Sequence, residues 1–435
     1  MVMKILIRAD YILTMDENDT VIEDGAVLVE DGVIRAVGKE LDEEGAYVID
    51  DKPAILLPGF INTHTHIAMV GFRGLADDME LMDWLQNYIW PAENKVVNEE
   101  FIELAVPLAL AEMISTGTTT FNDMYFFPDI TARITKEAGM RGFISEGVIN
   151  FPTPSAKNSD EGLAIAENFI RNWKGDELIH PVMSLHAPYS CSKELILKGY
   201  EMARKYDVPL HMHVSETKAE VQQIKEQYGM TPVRYLDSLG VLFDRFIAAH
   251  SVWLDDEEIE IFRDRGVGVA HNTQSNMKLA SGVAPVPDML EKGVKVGLAP
   301  DGAASNNDLD MVDEMRSAAL VHKVHRLDPT VMSARQVVRM ATIGGAKVLG
   351  IDDMVGSIEA GKRADLITVS LSGFHMMPIY DPYSHLVYAA KGSDVQSVIV
   401  NGKILMEKRE LKTLDPEKIA RNAKILKERI LSALR

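Results

Sequence analysis

The strongest constraint on how this chain can fold is a repeated alternation. Short apolar runs recur at Ala54–Asn62, Thr118–Asp123, Arg141–Val148, His180–His186, Pro209–Val214, Phe246–His250, Val267–His271 and Val294–Ala299. Segments with helical spacing separate them, among them Glu99–Ser115, Asp160–Trp173, Ser192–Tyr206 and Asp255–Arg265. Eight strands interleaved with helices predict a (β/α)8 barrel. The other arrangement, an open doubly wound sheet built around a nucleotide cofactor, calls for a glycine-rich phosphate loop after the first strand, and the sequence has none there.

The ends of these runs carry chemistry. In order they finish at His64 and His66, Asp123, Glu146, His186, His213 with Glu216, His250, His271 and Asp301. The loops at the C-terminal ends of barrel strands converge on one mouth, so these side chains are expected to share a site. Of the 12 histidines, those at positions 64, 66, 186, 211 or 213, 250 and 271 are candidates for that mouth.

Both chain ends have a different texture. Lys4–Met15 and Ala26–Val37 are aliphatic and β-branched, with a hairpin signal at Asp31-Gly32, and Ala364–Ser370 and Gln396–Leu405 repeat the pattern around Asn401-Gly402. The expected organisation is a small β-sandwich domain formed from both ends, with residues 1–57 its N-terminal part and residues 361–435 its C-terminal part plus a closing helix. Residues 58–360 form the barrel between them. Lys+Arg of 45 against Asp+Glu of 65 gives a charge of −20, which argues against nucleic acid or an anionic membrane as partner and favours a small molecule. The one cysteine, Cys191, fits a reducing cytoplasm, and Asp10 comes too early for a signal peptide. No apolar run reaches the roughly 18 residues of a membrane span. The 23 methionines suit apolar interfaces as well as cores, and a homo-oligomer is expected.

His64-Thr65-His66 follows Leu57-Pro58-Gly59-Phe60-Ile61-Asn62. On extended backbone, residues i and i+2 project to one face, so both imidazoles can reach one ion. His211-Met212-His213 repeats the spacing, and Asp301 adds a carboxylate. Imidazole with carboxylate suits Zn²⁺, and Fe²⁺ is compatible.

Pro58–His66, His213-Val214-Ser215-Glu216, His250 and Asp301–Asp310 together resemble the amidohydrolase superfamily. Arg73-Gly74-Leu75-Ala76-Asp77-Asp78, Trp84, Ile89-Trp90-Pro91-Ala92-Glu93, Ser275–Gly282 and Gly356–Leu366 are similar to its 5′-methylthioadenosine/S-adenosylhomocysteine deaminases. The resemblance spans essentially the whole chain. It implies one metal ion held by His64, His66, His213 and Asp301, because Val182–Pro188 lacks the lysine that binuclear relatives place there. It implies hydrolytic loss of the 6-amino group from an adenine nucleoside, with Glu216 shuttling the proton, His250 polarising the water and Asp301 accepting a proton from it. Glu93 would meet the ribose hydroxyls and His186 the purine edge, with Trp84 and Ser305 as further ring contacts. His211 would lie in the wall. The alternative is a related mononuclear enzyme acting on guanine, cytosine or a triazine. Glu146 stands where many relatives carry arginine, so it is expected to face the 5′ end of the substrate and repel the carboxylate of S-adenosylhomocysteine.

Overall fold

The computed structural model describes residues 4–434. Eight parallel strands form the barrel: β1 (Phe60–Thr65), β2 (Thr118–Tyr125), β3 (Arg141–Val148), β4 (Met183–Leu185), β5 (Leu210–Val214), β6 (Phe246–His250), β7 (Gly268–His271) and β8 (Lys295–Leu298). They pair in sequence order from β1 to β8. Between β8 and β1 a side chain spans the gap: Thr63 Oγ1 donates to the Leu298 carbonyl at 2.9 Å. Every residue of β1, β2, β5, β6 and β7 is buried, which is why the sequence shows them as continuous apolar runs rather than alternating ones.

The helices begin where short polar side chains can cap them. Asn98 accepts from the Phe101 N–H ahead of α1 (Glu99–Ser115), and Ser192 accepts from Leu195 ahead of Lys193–Tyr206. Asp255 and Glu258 form a reciprocal capping box at Asp256–Arg265.

Two apolar runs differ from expectation. Ala54–Asn62 is two strands, not one. Ala54–Pro58 belongs to the β domain and β1 starts after Gly59, where an added Cβ would collide with the Thr119 side chain. His180–His186 is interrupted at Val182, leaving Ile179–Pro181 and β4; Pro181 has no N–H to continue a ladder.

The strands of the two chain ends join in one nine-stranded sheet. Lys4–Leu13 pairs antiparallel with Val21–Glu30, which turns at Asp31-Gly32 into Val33–Lys39. Ala54–Pro58 is the seam: it runs parallel to Lys4–Leu13 and antiparallel to Leu366–Ser370, which leads to Val395–Val400 and Lys403–Glu407. The two arms share a core that includes Ile5, Val29, Ile34, Leu56, Leu366 and Ile399. Their hairpin turns touch, and a Cβ on Gly32 would lie 2.5 Å from the Asn401 carbonyl oxygen. A buried ion pair ties this sheet to the barrel. Arg141, at the start of β3, donates through Nε (3.1 Å) and Nη2 (3.2 Å) to the two oxygens of Asp365. The closing helix, Pro416–Leu434, packs on α1. Among the described residues no helix is long and apolar enough to cross a membrane.

Candidate active site

Strand ends turn sharply where the polar side chains gather. Ser215, just past β5, His250, the last residue of β6, and Asp301, beyond β8, all take left-handed backbone with φ of 54°, 69° and 67°. Non-glycine residues adopt this region at a cost, and such positions cluster where a side chain must be aimed. Here they sit beside the histidines.

The imidazoles of His66 and His213 are oriented by carbonyls. His66 Nδ1 lies 2.6 Å from the Met124 oxygen and His213 Nδ1 lies 2.6 Å from the His186 oxygen. A carbonyl only accepts, so in each ring the proton sits on Nδ1 and Nε2 carries a lone pair. Those two Nε2 atoms are 3.4 Å apart. Asp301 Oδ1 is 3.4 Å from His66 Nε2 and 3.2 Å from His64 Nε2. His64 Nε2 and Asp301 Oδ1 are buried and make no hydrogen bond among the described residues. Electron-rich atoms turned on one another, with the other nitrogens of His66 and His213 held by carbonyls and that of His64 by His211, fit a divalent cation bound by nitrogen and oxygen. His64, His66 and Asp301 can meet one ion, and so can His64, His213 and His250.

Burial sets the charge of the cluster. It lowers His64 to about 4 and His186 to about 3, and it holds His211 and His213 well below the ordinary imidazole range, so these rings are neutral. For His250 burial works the same way, but the nearby carboxylates of Glu216 and Asp301 outweigh it and raise its pKa. Burial also raises Glu216. Asp301 goes the other way: the surrounding imidazoles, His64 foremost, overcome burial and hold it well below the carboxylate range.

The residues expected to handle protons are firmly placed. Glu216 Oε2 lies 3.7 Å from His250 Nε2, and Glu216 Oε1 accepts from Ser281 Oγ at 3.3 Å. The Glu220 carboxylate fixes the backbone below them by accepting from the N–H groups of Ser215 (2.9 Å) and Glu216 (2.7 Å). His250 Nδ1 donates to Asn276 Oδ1 at 2.9 Å. Asp301 Oδ2 accepts from Ser275 at 2.7 Å and Ser305 at 3.0 Å. Nothing in the sequence singles out Asn276, Ser275 or Glu220 for these contacts, although Ser275-Asn276 lies within Ser275–Gly282.

Two cavities meet at this cluster. One is lined by Trp84, Tyr189, His213, Glu216, His250 and Ser305. The other adjoins it along His66, Met69, Leu85 and His186 and contains Glu93. Glu93 accepts from Tyr125 Oη at 2.7 Å, and burial lifts its pKa to about 7. The Trp84 indole N–H is used on the Ala76 carbonyl, 3.1 Å away, so its ring rather than its N–H is available to a ligand. His211 lies in the wall, with Nε2 2.9 Å from His64 Nδ1.

Three strand-end residues do not join the cavity. His271 Nε2 pairs with His322 Nε2 at 3.0 Å, against the helix Met311–Arg326. Asp123 accepts from the Ile67 N–H at 2.8 Å and supports the turn after His66. Glu146 corrects a specific expectation: it does not line the cavity but binds Ser155 Oγ from behind the loop. Burial raises it to about 8, so at neutral pH it is mostly uncharged and the expected repulsion of a substrate carboxylate has no basis there.

A sequence model of the amidohydrolase family matches residues 55–405. The chain is 47% identical to a 5-methylthioadenosine/S-adenosylhomocysteine deaminase of Thermodesulfovibrio yellowstonii, across 98% of both chains. It is 44% identical to a 5′-deoxyadenosine deaminase of Methanosarcina barkeri, again across 98% of both. An adenosine deaminase from Xanthomonas campestris, crystallised with bound zinc, superposes with a TM-score of 0.96 at 40% identity and 99% coverage of each chain.

Proposed function

The chain belongs to the amidohydrolase family, and on that premise we propose that it hydrolyses the 6-amino group from an adenine nucleoside, releasing ammonia and the inosine analogue. The observation that carries this reading is the placement of two buried carboxylates in adjoining cavities. Glu216 lies beside the histidine cluster, while Glu93 lies in the adjoining cavity, where ribose hydroxyls could donate to it. The deaminases of 5′-methylthioadenosine, 5′-deoxyadenosine and adenosine named above support the same substrate class.

His64, His66, His213 and Asp301 would hold one Zn²⁺, and Fe²⁺ suits the same donors. When bound, such an ion lowers the pKa of a water from about 15.7 towards 7. His250 orients the attacking water, and Asp301 accepts its proton. As oxygen adds to C6, electron density moves to N1, and Glu216 supplies the proton there. Burial raises its pKa, which favours the protonated form that this step uses. Glu216 then takes the C6 hydroxyl proton and passes it to the departing amine, the C6–N bond breaks to leave the carbonyl, and the proton held by Asp301 returns to Glu216. His186 meets the purine edge, the Trp84 ring packs on the base, and Ser305 holds Asp301 at the edge of the ring site. A cytoplasmic homo-oligomer completes the proposal, checked by sedimentation and fractionation.

The test is ammonia release from adenosine, 5′-deoxyadenosine, 5′-methylthioadenosine and S-adenosylhomocysteine against adenine, guanine and cytosine, with bound metal measured on the same sample. Release from nucleosides alone is expected. Turnover confined to a free base would overturn the reading, because Glu93 would then have no ribose to bind.

A further inference from the structure

The cavity that contains Glu93 has a composition that deamination alone does not require. Trp90, Phe126, Ile149, Phe151, Pro152 and Pro154 form most of its wall, with Asn94, Tyr125 and Thr153 adding uncharged polar groups. Among the described residues neither lysine nor arginine lines it, and Glu93 is its one carboxylate. Phe151 packs edge-on against Trp90, with ring centroids 5.0 Å apart.

Much of this wall is a single short loop, and the loop is stiff. Pro152 and Pro154 restrict its backbone. The Thr153 N–H donates to the Ala156 carbonyl at 2.8 Å, and the Ala156 N–H donates back to Thr153 Oγ1 at 3.1 Å. Glu146 anchors the loop from the barrel side by accepting from Ser155 Oγ. Burial keeps that carboxyl mostly protonated at neutral pH, so it contributes an anchor rather than a charge.

Resting on the reading of the site as an adenine nucleoside deaminase, we propose that this cavity receives the 5′ end of the substrate and selects an uncharged, apolar 5′ substituent. The reacting carbon must reach the histidine cluster, so the rest of the nucleoside extends past the shared rim of His66, Met69, Leu85 and His186 into this space. Beyond Glu93 it meets aromatic and proline surface. A methylthio or methyl group leaves water favourably there. A carboxylate or phosphate would lose its water there without gaining a cation. Glu146 is thus a positioning residue for specificity, acting through Ser155 on the loop.

The experiment compares kcat/KM for 5′-methylthioadenosine and 5′-deoxyadenosine with that for S-adenosylhomocysteine and adenosine 5′-monophosphate, in the metal-loaded full chain. The neutral pair is expected to exceed the charged pair by about tenfold or more, the scale of one missing charged hydrogen-bond partner. Phe151 is 36% exposed, so Phe151→Arg can be accommodated and brings a cation to the wall. It should raise the ratio of S-adenosylhomocysteine to methylthioadenosine several-fold, whereas Phe151→Leu should not. Equal efficiency on charged and neutral nucleosides by the wild type, or an unchanged ratio in Phe151→Arg, overturns this inference while leaving deamination standing. Absence of ammonia from every nucleoside overturns the functional reading and this inference with it.

Discussion

Replacing Glu216 with glutamine separates proton transfer from everything else the residue does. Glutamine keeps the size of the side chain and an oxygen that can accept from Ser281 Oγ, now 3.3 Å from Glu216 Oε1. The backbone stays in place, because Glu220 holds the N–H groups of residues 215 and 216 whatever the side chain. Folding should therefore be little changed. What is lost is an acid that can give and take a proton beside His250. General acid–base groups contribute about 10² to 10⁴ in rate, or roughly 3–5 kcal/mol of barrier. A fall in kcat of that size is expected for Glu216→Gln, with KM changing much less. The assay is ammonia release under saturating nucleoside, with metal content and thermal unfolding measured on the same preparation. Turnover within about fivefold of wild type, at equal metal content, would refute the assignment and move the proton shuttle to another group. Loss of metal together with activity would also refute it, since Glu216 would then be supporting the cation site instead.

Other outcomes follow from the same geometry. Elemental analysis should find close to one transition metal per chain, and chelation should abolish turnover while circular dichroism retains the fold; two metals at full occupancy would refute the single-ion reading. Glu146 has a pKa raised by burial from 4.5 to about 8, so its contribution to stability is fully present below about pH 4.5 and is lost as pH rises towards 8, where the unfolded chain has already released its proton. Glu146→Gln should accordingly gain stability relative to wild type at pH 8 compared with pH 5, and a constant difference across that window would contradict it. Asp365→Asn removes the partner of the buried Arg141 and should cost about 3–5 kcal/mol in chemical denaturation, with wild-type stability as the refuting result.

The sequence by itself determined the periodic features. Eight buried parallel strands read as apolar runs because both of their faces are covered, and the capped helices announce themselves through Asn98, Ser192 and Asp255. The turns Asp31-Gly32 and Asn401-Gly402 were equally legible, since local backbone preference selects those residues. The association of both chain ends in one β unit was legible from texture alone. Their seam was not: Ala54–Pro58 and β1 read as one run, and only the close approach of Thr119 to Gly59 divides them.

Within the site, position on a strand foretold which elements would converge but not which way each side chain turns. His271 ends its strand as His250 does, yet it pairs with His322 on a helix 51 residues later. Glu146 likewise sits near the end of its strand but is claimed by Ser155. The Nε2 lone pairs of His66 and His213 face each other because carbonyls of Met124 and His186, distant in sequence and indistinguishable from any other carbonyl in it, hold the opposite nitrogens. Side-chain chemistry is written residue by residue, so its inventory was available at once. Its direction depends on backbone groups that only tertiary packing brings within hydrogen-bond distance.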